Sequence, residues 1–230
     1  MNIFITAGNR GIGLEFVRQL LERGDHVTTT ARNPGEADEL QALADEHPDR
    51  LQVLELDVTD PETVAAAAEA VGERPIDLLI NNAGRLSRGG SPDDFDFDQI
   101  EADFQVNTVG TLRVIEAMLP HVRRSEENPK IVNVTSKMGS ISDNGSGGSY
   151  AYRMSKCALN MATRSLAADL ADDGIVTFVM HPGWVQTRMG GPNALITTEK
   201  SVTNMLEVID GAGPDDSGEF YEWNGNRVPW

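Results

Sequence analysis

The sequence predicts an α/β fold: a doubly wound, seven-stranded parallel sheet with helices on both faces, built as one domain over residues 1–230. Three observations predict it. Short β-rich apolar runs alternate with helix-period segments along the whole chain. A glycine cluster, "TAGNRGIG", follows the first apolar run and opens the first helical one. Loops rich in Gly, Pro, Ser and Asp fall at 85–94, 137–148 and 182–197, two of them directly after strands that end on polar residues. In an open α/β sheet, the loops at the carboxyl ends of the strands hold the ligands.

Each element has its own reason. "NIFIT" is the first strand, and in "GIGLEFVRQLLERG" apolar residues recur every three or four positions, the period of a helix packed on one face. "HVTTTA" is rich in β-branched residues and precedes the helical "GEADELQALADEH". "LQVLELD" leads into the alanine-rich "DPETVAAAAEAVG". "IDLLINN" has the continuous apolar character of a strand covered on both faces. The pattern continues with helical "NTVGTLRVIEAMLPHVRR", strand "KIVNVTS", the long helix "YAYRMSKCALNMATRSLAADLADD" and strand "IVTFVMH". Helix "TEKSVTNMLEVIDG" and a last strand near "GEFYEW" complete seven strands, and no repeat or linker divides the chain.

Composition narrows the function. The formal charge of -17, from 36 acidic against 19 basic residues of which only Lys130, Lys137, Lys156 and Lys200 are lysines, disfavours nucleic acid and anionic membrane as partners. It suits an ordinary acidic cytoplasmic enzyme or a protein kept soluble in concentrated salt. Cys157 is the only cysteine, which excludes an intramolecular disulfide, and no His/Cys cluster has metal-ligand spacing. No metal is expected. The N-terminus has no basic region and cleavage site of a secretory signal, and no apolar run approaches the ~20 residues of a membrane span. These features together predict a cytoplasmic protein.

The glycine turn carries the first chemistry. Gly8, Gly11 and Gly13 before a helix allow a tight turn and bring backbone N–H groups close to a pyrophosphate. A strand-to-helix turn also needs glycine for steric reasons alone. The context decides. "TAGNRGIG", Asp57 in "LELDVTD", "NNAG" at 81–84, "VNTVG" around Asn107, "VTS" ending at Ser136, "YRMSK" at 152–156 and "HPGWVQT" at 181–187 stand in the order and approximate spacing of the short-chain dehydrogenase/reductase family. The chain resembles that family over essentially its whole length, and its local wording is similar to the small carbonyl reductases within it.

The resemblance implies a Rossmann fold and a nicotinamide dinucleotide held by Gly8, Asn9, Arg10, Gly11, Ile12 and Gly13. It also implies Asp57 and Val58 beside the adenine, contacts from Asn82, Ala83 and Gly84, and Pro182, Val185 and Thr187 near the carboxamide. Asp57 read by itself serves nearly as well as a cap for the following helix. Ala7 stands at the family's first glycine position, so either the turn is reshaped or that position needs no positive φ. An acid at the end of the second strand would accept hydrogen bonds from the adenosine ribose and repel a 2′-phosphate. Here "TTTARNP" offers Arg32, with Arg10 approaching from the glycine turn, and no local acid. NADP(H) is therefore expected over NAD(H).

The segment "GSYAYRMSKCALN" holds two tyrosines. On a helix Tyr152 and Lys156, four apart, share a face, whereas Tyr150 and Lys156 do not. An ammonium ~5 Å from a phenol at an effective dielectric of ~20 favours the phenolate by roughly 3 kcal/mol, about two pKa units, which predicts a lowered Tyr152. Without context, such a pair is more often a partly buried aromatic beside a surface lysine. The family resemblance implies that Tyr152 supplies a proton, Ser136 binds the substrate carbonyl, Lys156 binds the nicotinamide ribose, and Asn107 holds a water linking Lys156 to solvent. Ser140 competes with Ser136. Ser136 is preferred because it directly ends a strand, while Ser140 lies in a mobile-looking loop.

The four histidines are scattered, and Cys157 reads as a small buried residue. Met138, Trp184, Met189, Leu195 and Ile196 either line an apolar pocket or belong to the core. The expected function is NADP-dependent reduction of small apolar aldehydes and ketones. A non-catalytic nucleotide sensor on the same fold is the alternative, and an epimerase or dehydratase a weaker one. Apolar and small residues around the helices at 107–122 and 158–170 predict a homodimer or homotetramer. Loop 188–197, with Gly190 and Gly191, is expected to act as a short mobile lid.

Overall fold

A computed structural model describes residues 1–230. Its strands are β1 (Asn2–Ile5), β2 (His26–Ala31), β3 (Leu51–Glu55), β4 (Leu78–Asn81), β5 (Lys130–Val134), β6 (Val176–His181) and β7 (Phe220–Glu222). They form one sheet in the order β3-β2-β1-β4-β5-β6-β7, every pair parallel. Between them run α1 (Gly11–Arg23), α2 (Asp38–Glu46), α3 (Pro61–Val71), α4 (Phe97–Phe104), α5 (Thr111–Val122), α6 (Tyr150–Asp169) and α7 (Thr198–Gly211).

The pleat of β1 shows how the sheet divides two cores. Ile3 and Ile5 point to one face, where they join Phe16, Val17 and Leu20 of α1 and Met205 and Ile209 of α7. Phe4 points to the other and joins Val64 of α3, Val114 and Met118 of α5 and Leu170 just past α6. The strand order reverses between β1 and β4, and the loops following the carboxyl ends of those strands flank the crevice in which such sheets bind ligands.

Local chemistry sets the ends of the elements. Gly24 closes α1 in the left-handed region at φ 93°. Asp60 caps α3 ahead of Pro61, and Thr197 caps α7. The buried Lys130 ammonium donates to the carbonyls of Ile209 and Asp210, at 2.7 and 3.3 Å, and so caps the far end of α7.

One region differs from the expectation. The helix expected to begin at Asn107 starts earlier, at Phe97, and passes through a π-helical stretch, Gln105–Gly110, before α5. "FDQIEADF" mixes acids with aromatics and shows no clean apolar stripe, yet Asp96 caps it by accepting from the Gln99 N–H at 3.0 Å. Gly110 lets this helix lie against Val58, since a Cβ there would sit 2.7 Å from the valine Cγ2. No helix is long and apolar enough to cross a membrane.

Candidate active site

The turn after β1 is built to leave donors free. The N–H groups from Asn9 to Gly13 find no acceptor in the protein, and they gather at the start of α1. Gly8 is required by close packing, because a Cβ would fall 2.0 Å from the Thr29 Oγ1 on β2. At Gly13 a Cβ would fall 2.2 Å from the Ala7 carbonyl oxygen. Ala7 does adopt positive φ, 57°, so neither expected escape applies: the turn keeps its shape and the alanine carries the strain. Asn82 holds it there, its amide donating to the carbonyls of Thr6 and Ala7 at 3.1 Å each, while the Thr6 hydroxyl accepts from the N–H of Asn82 and of Ala83. A row of free donors at a helix start, with no Cβ over Gly11, fits the diphosphate of a dinucleotide.

Arg10 and Arg32 are both exposed and lie close enough for their charges to interact. The end of β2 carries no acid, but Asp57, two residues past β3, feels the Arg32 charge. Burial alone would raise the Asp57 carboxyl, but the Thr59 N–H and hydroxyl, at 2.9 and 2.7 Å, and then Arg32 hold it below the usual range. Asp57 therefore closes the turn before α3, and Asp60 rather than Asp57 is the cap of that helix. The Val58 side chain is buried against Gly110, and its carbonyl accepts from the Arg113 guanidinium at 2.6 Å.

Ser136 lies two residues beyond β5, where its hydroxyl accepts from the Met138 N–H at 3.2 Å in a short 3-10 turn. Gly139 lets that turn press on α6, since a Cβ would meet the Lys156 backbone at 2.9 Å. The result is a Ser136 hydroxyl beside the Tyr152 phenol. Ser140 is not in a mobile loop: it is 2% exposed and its hydroxyl donates to the Pro229 carbonyl at 2.5 Å. The Pro229 carbonyl thus occupies the competing serine. Tyr150, at the first turn of α6, stacks edge-on against Phe95 at 5.0 Å and leaves the site to Tyr152.

The expected lowering of Tyr152 is corrected. Burial pushes the phenol up to about 12, the Ser136 hydroxyl lowers it, and the Asp103 carboxylate raises it further. Lys156 is itself buried and pulled down to about 8, with Asp103 acting in the opposite direction. Its Nζ donates to the Val134 carbonyl at 2.8 Å. Helix spacing carries the attraction of two charges but not the desolvation of both.

Asn107 sits in the π-helix, fully buried, and its amide is spent on neighbours. It accepts from the Arg85 N–H at 2.8 Å and donates to the Arg85 carbonyl and the Ser155 Oγ at 2.8 and 2.9 Å. A Cβ on Gly84 would lie 3.6 Å from the Asn107 Oδ1 and 3.7 Å from the Lys156 Nζ, so all three face one point. Asp103 was missed from sequence. It is fully buried, accepts from the Ser87 hydroxyl at 2.7 Å and pairs with Arg85 at 3.3 Å. No periodicity links it to the loop after β4.

On the far side, Pro182 and Val185 are buried, and the Thr187 methyl would lie 3.3 Å from a Cβ on Gly11. The loop that follows is pinned more than its glycines suggest. Gly190 is needed because a Cβ would strike the Val185 carbonyl at 2.0 Å, the Trp184 indole donates to the Gly190 carbonyl, and Arg88 donates to the Met189 carbonyl. Trp184, Met189 and Leu195 are exposed, and Met138 and Ile196 are half-buried.

The description "short chain dehydrogenase" belongs to a family whose sequence model matches residues 1–195. The chain is a short-chain dehydrogenase. This dehydrogenase is 48% identical over 165 residues to C-signal of Myxococcus xanthus, covering 72% of this chain and 99% of that protein. It superposes on the NADPH-bound carbonyl reductase from chicken fatty liver with a TM-score of 0.94 and 37% identity, over 100% of this chain and 98% of that one. With the carbonyl reductase Sniffer of D. melanogaster the TM-score is again 0.94, at 32% identity, over 100% and 99% of the two chains. The seven-stranded Rossmann-type fold expected from sequence is thereby established.

Proposed function

We propose that this short-chain dehydrogenase is an NADP(H)-dependent oxidoreductase of the cytoplasm that reduces small apolar aldehydes and ketones to alcohols. One observation carries the reading: a buried, protonated Tyr152 with the Ser136 hydroxyl beside it and Lys156 one helical turn away, at the sheet end where the glycine turn leaves five N–H groups free. When bound, the nicotinamide supplies the hydride that reaches the carbonyl carbon. The residues manage the oxygen. The Ser136 O–H, whose oxygen already accepts from Met138, is free to donate to the carbonyl oxygen. The Tyr152 O–H gives that oxygen its proton as negative charge develops. With the phenol at about 12, roughly one part in 100,000 is phenolate at pH 7, so Tyr152 carries the proton that the alcohol product needs. The Lys156 ammonium lends positive charge to the same region while it stays protonated.

Similarity to NADPH-bound carbonyl reductase supports the substrate class and the cofactor. The exposed Trp184, Met189 and Leu195 suit a shallow apolar site. A second reading, a nucleotide-sensing or signalling protein, draws on the 48% identity to C-signal. A sensor needs no Tyr152 acid. The deciding experiment follows NADPH oxidation with a panel of small aldehydes and ketones. Turnover that Tyr152→Phe removes, with NADPH binding kept, is the expected result. No turnover of any carbonyl by the unmutated protein, with NADPH still bound, would favour the sensor.

A further inference from the structure

Of the 19 basic residues four are lysines, leaving 15 arginines. Twelve of these donate to a protein acceptor or pair with a carboxylate. The other three are Arg10, Arg32 and Arg188. In a chain with 36 acidic residues, unpaired guanidiniums are uncommon, and these three are gathered in one place. Arg10 has its pKa lowered by partial burial, then by the charge of Arg188, then by that of Arg32. Their placement is also geometric. Arg32 follows β2, Arg10 caps α1, and Arg188 follows Thr187, whose methyl packs over Gly11. Thr187 therefore brings Arg188 next to the glycine turn, near enough to Arg10 for their charges to interact. Asp57 feels the Arg32 charge but its carboxylate is bonded to Thr59, and none of the three guanidiniums forms a salt bridge; three like charges so placed mark a site for an anion supplied from outside.

We propose that Arg188 is a cofactor-phosphate ligand carried on the substrate loop: it clamps the pyrophosphate shared by NADPH and NADH, and in doing so fastens loop 188–197 to the bound dinucleotide. This rests on the cofactor reading above and adds a division of labour to it. Arg32, at the end of β2, reads the 2′-phosphate that only NADPH carries. Arg188 reads the phosphates that both carry. Both ends of the loop are already pinned, through Met189 and Gly190 at one end and Ala194 to Ile196 at the other, so a contact at Arg188 ties a loop of few free residues to the dinucleotide. Arg188 is exposed and makes no hydrogen bond, so its replacement does not threaten folding.

The test is calorimetric titration of NADPH and of NADH into the unmutated protein, Arg188→Gln, Arg188→Lys and Arg32→Gln. Loss of one charge-assisted contact predicts about tenfold weaker binding of both cofactors to Arg188→Gln, by the same factor, with Arg188→Lys in between. Arg32→Gln should weaken NADPH and leave NADH unchanged. Hydrogen exchange at residues 188–196 should slow on NADH binding in the unmutated protein and not in Arg188→Gln. Unchanged affinity for both cofactors in Arg188→Gln overturns the clamp and leaves the cofactor reading standing. Weakening of NADPH alone moves Arg188 to the 2′-phosphate and also overturns it. Failure of the unmutated protein to bind either cofactor overturns the reading beneath.

Discussion

Raising the pH from 7 to 9 should slow carbonyl reduction about tenfold, and the cause should be Lys156 rather than Tyr152. Burial draws the Lys156 ammonium down to about 8 and pushes the Tyr152 phenol up to about 12. A group with a pKa near 8 is about 91% protonated at pH 7 and about 9% at pH 9, while a phenol near 12 stays protonated throughout. The active form needs both protons, so the rate is full below about pH 7 and falls along a single limb through about 8. The assay is kcat/KM for a small aldehyde, followed by NADPH absorbance between pH 6 and 10 at constant ionic strength. Asp103 raises the Lys156 pKa, so Asp103→Asn should move the limb to lower pH without abolishing the reaction. A profile flat through pH 9 would refute the control of the rate by a desolvated Lys156, and an Asp103→Asn limb displaced upward would refute the Asp103 charge as the group that holds Lys156 up.

Ala7→Gly should stabilise the protein: relieving φ 57° returns about 1–2 kcal/mol, and the added freedom of unfolded glycine costs about 0.5–1. The net of about 0.5–1 kcal/mol corresponds to a Tm rise of roughly 1–4 °C by calorimetry, and a fall in Tm would contradict the strain. Arg32→Asp should reverse or abolish the preference for NADPH, and equal affinities in the unmutated protein would sink the premise. Val109, Leu112, Met154 and Met161 are exposed on the π-helix, α5 and α6, and should form the face of an isologous dimer. Light scattering at micromolar concentration checks this, a monomer being the contrary result.

Several parts of the site were legible in sequence because their chemistry is local. Tyr152 and Lys156 share a helix face by spacing alone, and Gly11, Gly13 and the following apolar stripe announce the turn before α1. The alternation of strands and helices determined the parallel sheet, since such runs can be buried only by crossover helices on both faces. What only the tertiary structure decided depends on burial and on partners distant in the chain. Ala7 is held in its strained turn by Asn82, 75 residues on. Ser140 is retired by the carbonyl of Pro229, and Asp103 joins Arg85 and Ser87 by a path that no periodicity describes. The sign of the Tyr152 shift also needed the fold. Spacing supplies the distance between two charges, but the desolvation that outweighs their attraction exists only when the rest of the chain has closed over them.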